Sequence, residues 1–154
     1  MLLTMQGTPY IYQGEEIGMT NVHFDSIEDY NDIEVKNLWK ERVINGSADP
    51  EVLLDAIRFR SRDNARTPMQ WDDSENAGFT TGTPWLKVNP NYKDINVKEA
   101  LEDRDSIFYY MKRLIQMRKA NEVAVYGDFR EYEPENESLY IYERNYEGKR
   151  CLWC

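Results

Sequence analysis

Short runs of helical spacing alternate along the chain with stretches that show no period. Residues 31–44 place Ile33, Leu38, Trp39 and Val43 on one side of a helix that Asn45-Gly46 ends. Asp49-Pro50-Glu51 writes a second helix start: a capping carboxylate, proline at the first helical position and an acid in the first turn. Leu53, Leu54 and Ile57 are its buried stripe. A later helix begins at Asp103 or Asp105, with Ile107, Phe108, Met111, Leu114 and Ile115 on one face and Lys112, Arg113 and Arg118 on the other. Residues 1–5 read as a helix tail closed by Gly7, followed by a short buried strand over residues 8–12. Residues 123–126 and 139–142 read as strands joined through the turn-prone Pro134-Glu135-Asn136.

Between these elements lie two aperiodic stretches. Residues 72–98 are rich in Gly, Pro, Asn and aromatics, and a loop that long inside a compact domain is usually functional. Residues 61–72, Ser-Arg-Asp-Asn-Ala-Arg-Thr-Pro-Met-Gln-Trp-Asp, fit neither helix nor strand. Pro68 drives Thr67 toward extended backbone, so this is a shaped loop or a helix exit. A helix tail, a buried strand and a polar loop make one step of an α/β fold, and the change of style near residue 121 divides the chain into residues 1–121 and 122–154. Both ends fall inside an expected element, so a chain truncated at both ends is expected. A chain cut within its elements would leave apolar faces in water, so the isolated chain is expected to fold poorly or aggregate.

Composition narrows the chemistry. The 154 residues are 41% hydrophobic and carry a net charge of -9. That balance excludes a disordered chain and offers no basic stripe to a nucleic-acid backbone. No stretch approaches membrane-spanning length and no secretory leader is visible, so a cytoplasmic protein is expected. Cys151 and Cys154 form a C-x-x-C, but without a following helix or further ligands they read as two reduced thiols. No metal or cofactor is expected.

The carboxylates, two arginines, amides and Trp71 of residues 61–72 suit sugar recognition: forked donors and acceptors read hydroxyls, and a flat ring supports a sugar face. The plainer alternative, that Arg62 pairs with Asp63 or Asp72 as scaffolding, stays open. Glu15-Glu16 could suggest a catalytic pair, but neighbours on extended backbone point to opposite sides, whereas a catalytic pair must converge. One of them is expected to buttress the site instead, through hydrogen bonds or an arginine. Trp71, Phe79 and Trp85 are expected to pack the long loop, and His23 is expected at the surface or behind a site.

GTPYIYQGEEIGMTN at 7–21 and SRDNARTPMQWDD at 61–73 resemble glycoside hydrolase family 13, the α-amylase family, and within it the oligo-1,6-glucosidase and α-glucosidase branch. GFTTGTPW at 78–85, VNPNYKDINV at 88–97 and DSIFYYMKRLIQMRK at 105–119 match the same group. Trehalose-6-phosphate hydrolases and dextran glucosidases share nearly the same motifs. The resemblance implies an α/β fold: the C-terminal part of a (β/α)₈ barrel, over residues 1–121, followed from residue 122 by the start of an antiparallel β domain. It implies a retaining α-glucosidase, monomeric and acting on short isomalto- or malto-oligosaccharides. Its three catalytic carboxylates would lie on segments corresponding to positions before Met1, leaving none in this chain. It assigns Arg62 to hydrogen bonds with the non-reducing glucose in subsite −1, and Glu34 to subsite +1. A non-catalytic carbohydrate-binding remnant is the alternative.

Overall fold

The computed structural model describes residues 1–154. They form two compact units, residues 13–107 and residues 1–12 with 108–154.

Unit 13–107 is helical and loop-rich. Its core gathers Val22, Phe24, Tyr30, Val35, Leu54 and Ile57, with Ile27, Trp39 and Leu53 packed against it. Helix α1, Ile33–Trp39, begins where the Asp32 carboxylate accepts the Glu34 N–H at 3.0 Å. It widens into a π turn over Lys40–Ile44, closed by the Asn45 N–H on the Lys40 carbonyl. The expected apolar side is displaced. Val35 is buried while Ile33 is 63% exposed, because Asp32 starts the helix one residue before Ile33 and turns Val35 and Trp39, four apart, onto the core. Helix α2, Pro50–Arg60, follows its sequence signature: Asp49 accepts the N–H groups of Glu51 and Val52, and Leu54 and Ile57 are buried. Gly46 just before it is required, since a Cβ there would lie 2.5 Å from the Arg42 carbonyl oxygen.

The long loop after residue 72 is held by amides. Gln70, fully buried, donates to Asn91 Oδ1 and the Ile95 carbonyl, and Asn89 donates to the carbonyls of Thr20 and Asn21. The Val97 and Lys98 N–H groups return to the carbonyls of Gln70 and Trp71. The loop contains a short helix, α3, Val97–Glu102, capped by Asn96.

The other unit is built on helix α4, Ile107–Ala120, helix α5, Glu122–Tyr126, and the antiparallel strands β1, Asp128–Tyr132, β2, Ile141–Tyr146, and β3, Lys149–Trp153, in the order β1-β2-β3. Glu147 and Gly148, at φ 48° and 77°, make the tight turn between β2 and β3. Phe129, Tyr142 and Trp153 stack across all three strands, with ring centroids 5.5 and 5.6 Å apart.

Four expectations are corrected in this unit. Residues 1–5 are one hydrogen-bonded turn rather than a helix tail. Residues 8–12 form no strand and Tyr10 is 85% exposed; a strand needs a ladder partner, and the three strands here pair with one another. Residues 123–126 are helical, because Asn121 caps the Val123 N–H and burial of Val123 and Ala124 overrides their strand preference. Arg118 is buried, not on the solvent face. It continues the Leu114 and Ile115 side at helical spacing, and its guanidinium is satisfied by the carbonyls of Leu3, Met5, Gly7 and Ala124.

Candidate functional site

The site lies where the end of α2 meets the start of α1. Ser61 ends α2 with its N–H on the Ile57 carbonyl, and its hydroxyl accepts the Asp63 N–H at 3.1 Å. That cap opens a single 3₁₀ turn, Arg62–Ala65, whose consecutive side chains diverge to three tasks. Arg62 donates from Nε to Asp32 Oδ2 at 2.8 Å and from Nη2 to Asp32 Oδ1 at 2.5 Å, a two-pronged grip. Asp63 is fully buried and accepts the backbone N–H groups of Asn31 and Asp32. Asn64 accepts the Val22 N–H and donates to the Arg58 carbonyl.

The two expected site residues are brought together. Arg62 Nη1 stands 3.4 Å from Glu34 Oε1, and both side chains face solvent at the edge of a cleft of about 230 Å³. Val35, Leu38, Leu53, Ala56 and Ile57 give the cleft an apolar lining, while Asp32, Glu34, Arg60 and Arg62 supply charge. An apolar surface with a few convergent polar groups is the usual composition of a small-molecule site.

Electrostatics fix the grip. The Arg62 guanidinium holds the Asp32 carboxyl at about 2, below its ordinary 3.8, against the opposing effect of burial. Asp32 in turn raises the affinity of Arg62 for its proton. Both groups are charged at any physiological pH.

Asp32 is the residue that sequence reasoning missed. The plainer alternative for Arg62, a pairing with Asp63 or Asp72, does not occur. Asp63 is committed to backbone and to Arg66, and Asp72 closes its own turn onto Ser74. The available signal was local: Asp32-Ile33-Glu34 is a capping residue with an acid in the first turn, which marks Asp32 as a helix start. Glu16 accepts the Gly14 N–H at 2.7 Å, a bond within its own turn. Trp71, Phe79 and Trp85, expected to pack, are 49%, 49% and 67% exposed. No group of three or more His, Cys, Asp or Glu side chains is arranged to hold a metal, and Cys151 and Cys154 are free thiols.

The family model of the alpha amylase catalytic domain matches residues 1–127. An oligo-1,6-glucosidase of Parageobacillus thermoglucosidasius is 62% identical over 140 residues, which is 91% of this chain and 25% of that protein. A trehalose-6-phosphate hydrolase of Escherichia coli (strain K12) is 47% identical over 96% of the chain and 27% of its own length. Among solved structures, the trehalulose synthase MutB from Pseudomonas mesoacidophila MX-45 superposes with a TM-score of 0.92 at 47% identity, covering 98% of this chain and 27% of that one. The chain thus spans about a quarter of the length of the relatives it matches. No helix is long and apolar enough to cross a membrane.

Proposed function

The chain belongs to the alpha-amylase catalytic-domain family, and on that premise we propose that it forms the C-terminal part of a retaining α-glucosidase of the oligo-1,6-glucosidase kind, supplying one wall of the glucose pocket. Residues 1–121 are then the end of a (β/α)₈ barrel and residues 122–154 the start of the following β domain. The carrying observation is the Arg62 fork, fixed on Asp32 with Glu34 at 3.4 Å, on the rim of an open cleft. A guanidinium already held on one edge presents its other edge as a rigid donor to sugar hydroxyls. Such charge-assisted bonds contribute about 1.5–3 kcal/mol each. Glu34, more exposed and more weakly held, suits the departing sugar. The nucleophile and the acid of retaining hydrolysis would come from earlier barrel strands, so this chain binds and orients rather than reacts. The parent acts as a cytoplasmic monomer on short isomalto- or malto-oligosaccharides.

A second reading is favoured by the 47% identity to a trehalose-6-phosphate hydrolase and by Arg60, a further cation on the cleft. In that reading the substrate is a sugar phosphate.

The test joins this chain to the part of the Parageobacillus relative that precedes the matched segment. The fusion is expected to hydrolyse isomaltose in preference to trehalose 6-phosphate, and the isolated chain to turn over neither. Arg62→Ala in the fusion should lower kcat/KM at least tenfold, or about 1.4 kcal/mol; a loss below about threefold would remove Arg62 from the pocket.

A further inference from the structure

We propose that Asp63 is a positioning residue for Arg62: buried behind the cleft, it pins the Asn31-Asp32 backbone and so fixes the carboxylate that aims the arginine. Arg62 and Asp63 are adjacent on one turn, and both reach Asp32 across thirty residues of sequence. Arg62 grips its carboxylate, with bonds of 2.8 and 2.5 Å. Asp63 grips its amide, Oδ2 accepting the Asp32 N–H at 2.9 Å and the Asn31 N–H at 2.7 Å. Asp32 is therefore held at the main chain and at the side chain by neighbouring residues. Its third tie, to the Glu34 N–H, fixes it to the first turn of α1.

The consequence concerns an arginine whose side chain is 48% exposed. A guanidinium on a flexible stem has many rotamers open to it, and it is preorganised only if its partner cannot move. Asp32 cannot shift without breaking two charge-assisted bonds to a carboxylate that water does not reach. Ser61, whose hydroxyl accepts the Asp63 N–H, and Arg66, 3.4 Å from Asp63 Oδ1, fix the anchor itself. The importance of this device for sugar recognition rests on the function proposed above; the device itself does not.

Nuclear magnetic resonance on the full chain separates the two. With ¹⁵N-labelled arginine, the Arg62 Nε–H of the unsubstituted chain should be protected from exchange. Asp63→Asn should leave the Phe24–Tyr30 core contact intact and speed that exchange at least about tenfold, toward the rate seen in Asp32→Asn. The Asp32 titration gives a second readout of opposite sign for the competing explanation. Loss of position should raise its midpoint from about 2 toward 3.8, whereas removal of a neighbouring negative charge alone would lower it further. Arg62 and Arg66, which face Asp32, and Glu34 beside Arg62 are the same in Asp63→Asn as in the unsubstituted chain. Unchanged Arg62 exchange, or a midpoint that stays or falls, would overturn the proposal. So would collapse of the core in Asp63→Asn, which would make Asp63 a packing residue. No sugar enters this measurement, so it stands or fails apart from the Arg62→Ala result in the fusion.

Discussion

Asp32 does three things with one carboxylate: it caps α1, grips Arg62 and keeps its charge far into acid. A folded-state pKa below the unfolded one means that, between about pH 4 and about pH 2, the unfolded chain binds more protons. The stability Asp32 contributes is therefore complete above the unfolded value and is lost as pH falls through that window. Thermal midpoints measured from pH 5 to pH 2 should fall less steeply in Asp32→Asn than in the unsubstituted chain. Equal slopes would show that the Asp32–Arg62 pair does not sense protons. This pairing was not legible in the sequence. The Ser61–Asp72 run announces recognition chemistry, and the family motifs single out Arg62 and Glu34. Nothing local says which of the nearby acids Arg62 will hold, because its partner is thirty positions away and is set by how α1 packs on α2.

The elements that could be read from sequence are those whose ends are written locally. Asp49-Pro50-Glu51 fixed the start of α2, and the Leu53, Leu54 and Ile57 stripe fixed its inward face. Where an element depends on distant neighbours, periodicity fails. Residues 8–12 have strand-like side chains without a ladder partner, and Arg118 occupies an apolar face because carbonyls outside its helix accept its protons. Arg144 on β2 repeats that solution. It is fully buried, donates to the carbonyls of Thr4, Ala124 and Gly127, and shares the Ala124 oxygen with Arg118. Burial and the neighbouring Arg118 both disfavour its charge. Arg144→Met fits the volume but strands the Thr4 and Gly127 carbonyls, each costing about 1–3 kcal/mol when left unpaired, while the Ala124 oxygen keeps Arg118. The urea midpoint followed by tyrosine and tryptophan fluorescence should drop by the equivalent of at least two such losses; an unchanged midpoint would mean that water replaces the guanidinium.

At the scale of the whole molecule, large apolar side chains are exposed in both units. Met1, Tyr10, Ile33, Phe59, Trp85 and Ile107 each have half or more of their surface in water. Scattered exposed side chains are ordinary, but contiguous apolar surface usually marks a contact with another polypeptide. The chain by itself should bind the dye ANS and associate as its concentration rises. Fusion to the upstream part of the relative should reduce both effects. Dye binding that is equal before and after fusion would show that these side chains face solvent in the longer protein as well.

The paired arginines also impose an order in time. Arg118 and Arg144 are satisfied by carbonyls of residues 3, 4, 5 and 7. The carbonyls of residues 3, 5 and 7 therefore wait for α4, and that of residue 4 for β2, before they find their donors. During synthesis residues 1–7 stay open to proteases and chaperones, and their protection is complete only when β2 emerges. A nascent chain halted at residue 135 should be cut within residues 1–7 by a protease that spares them in the released protein.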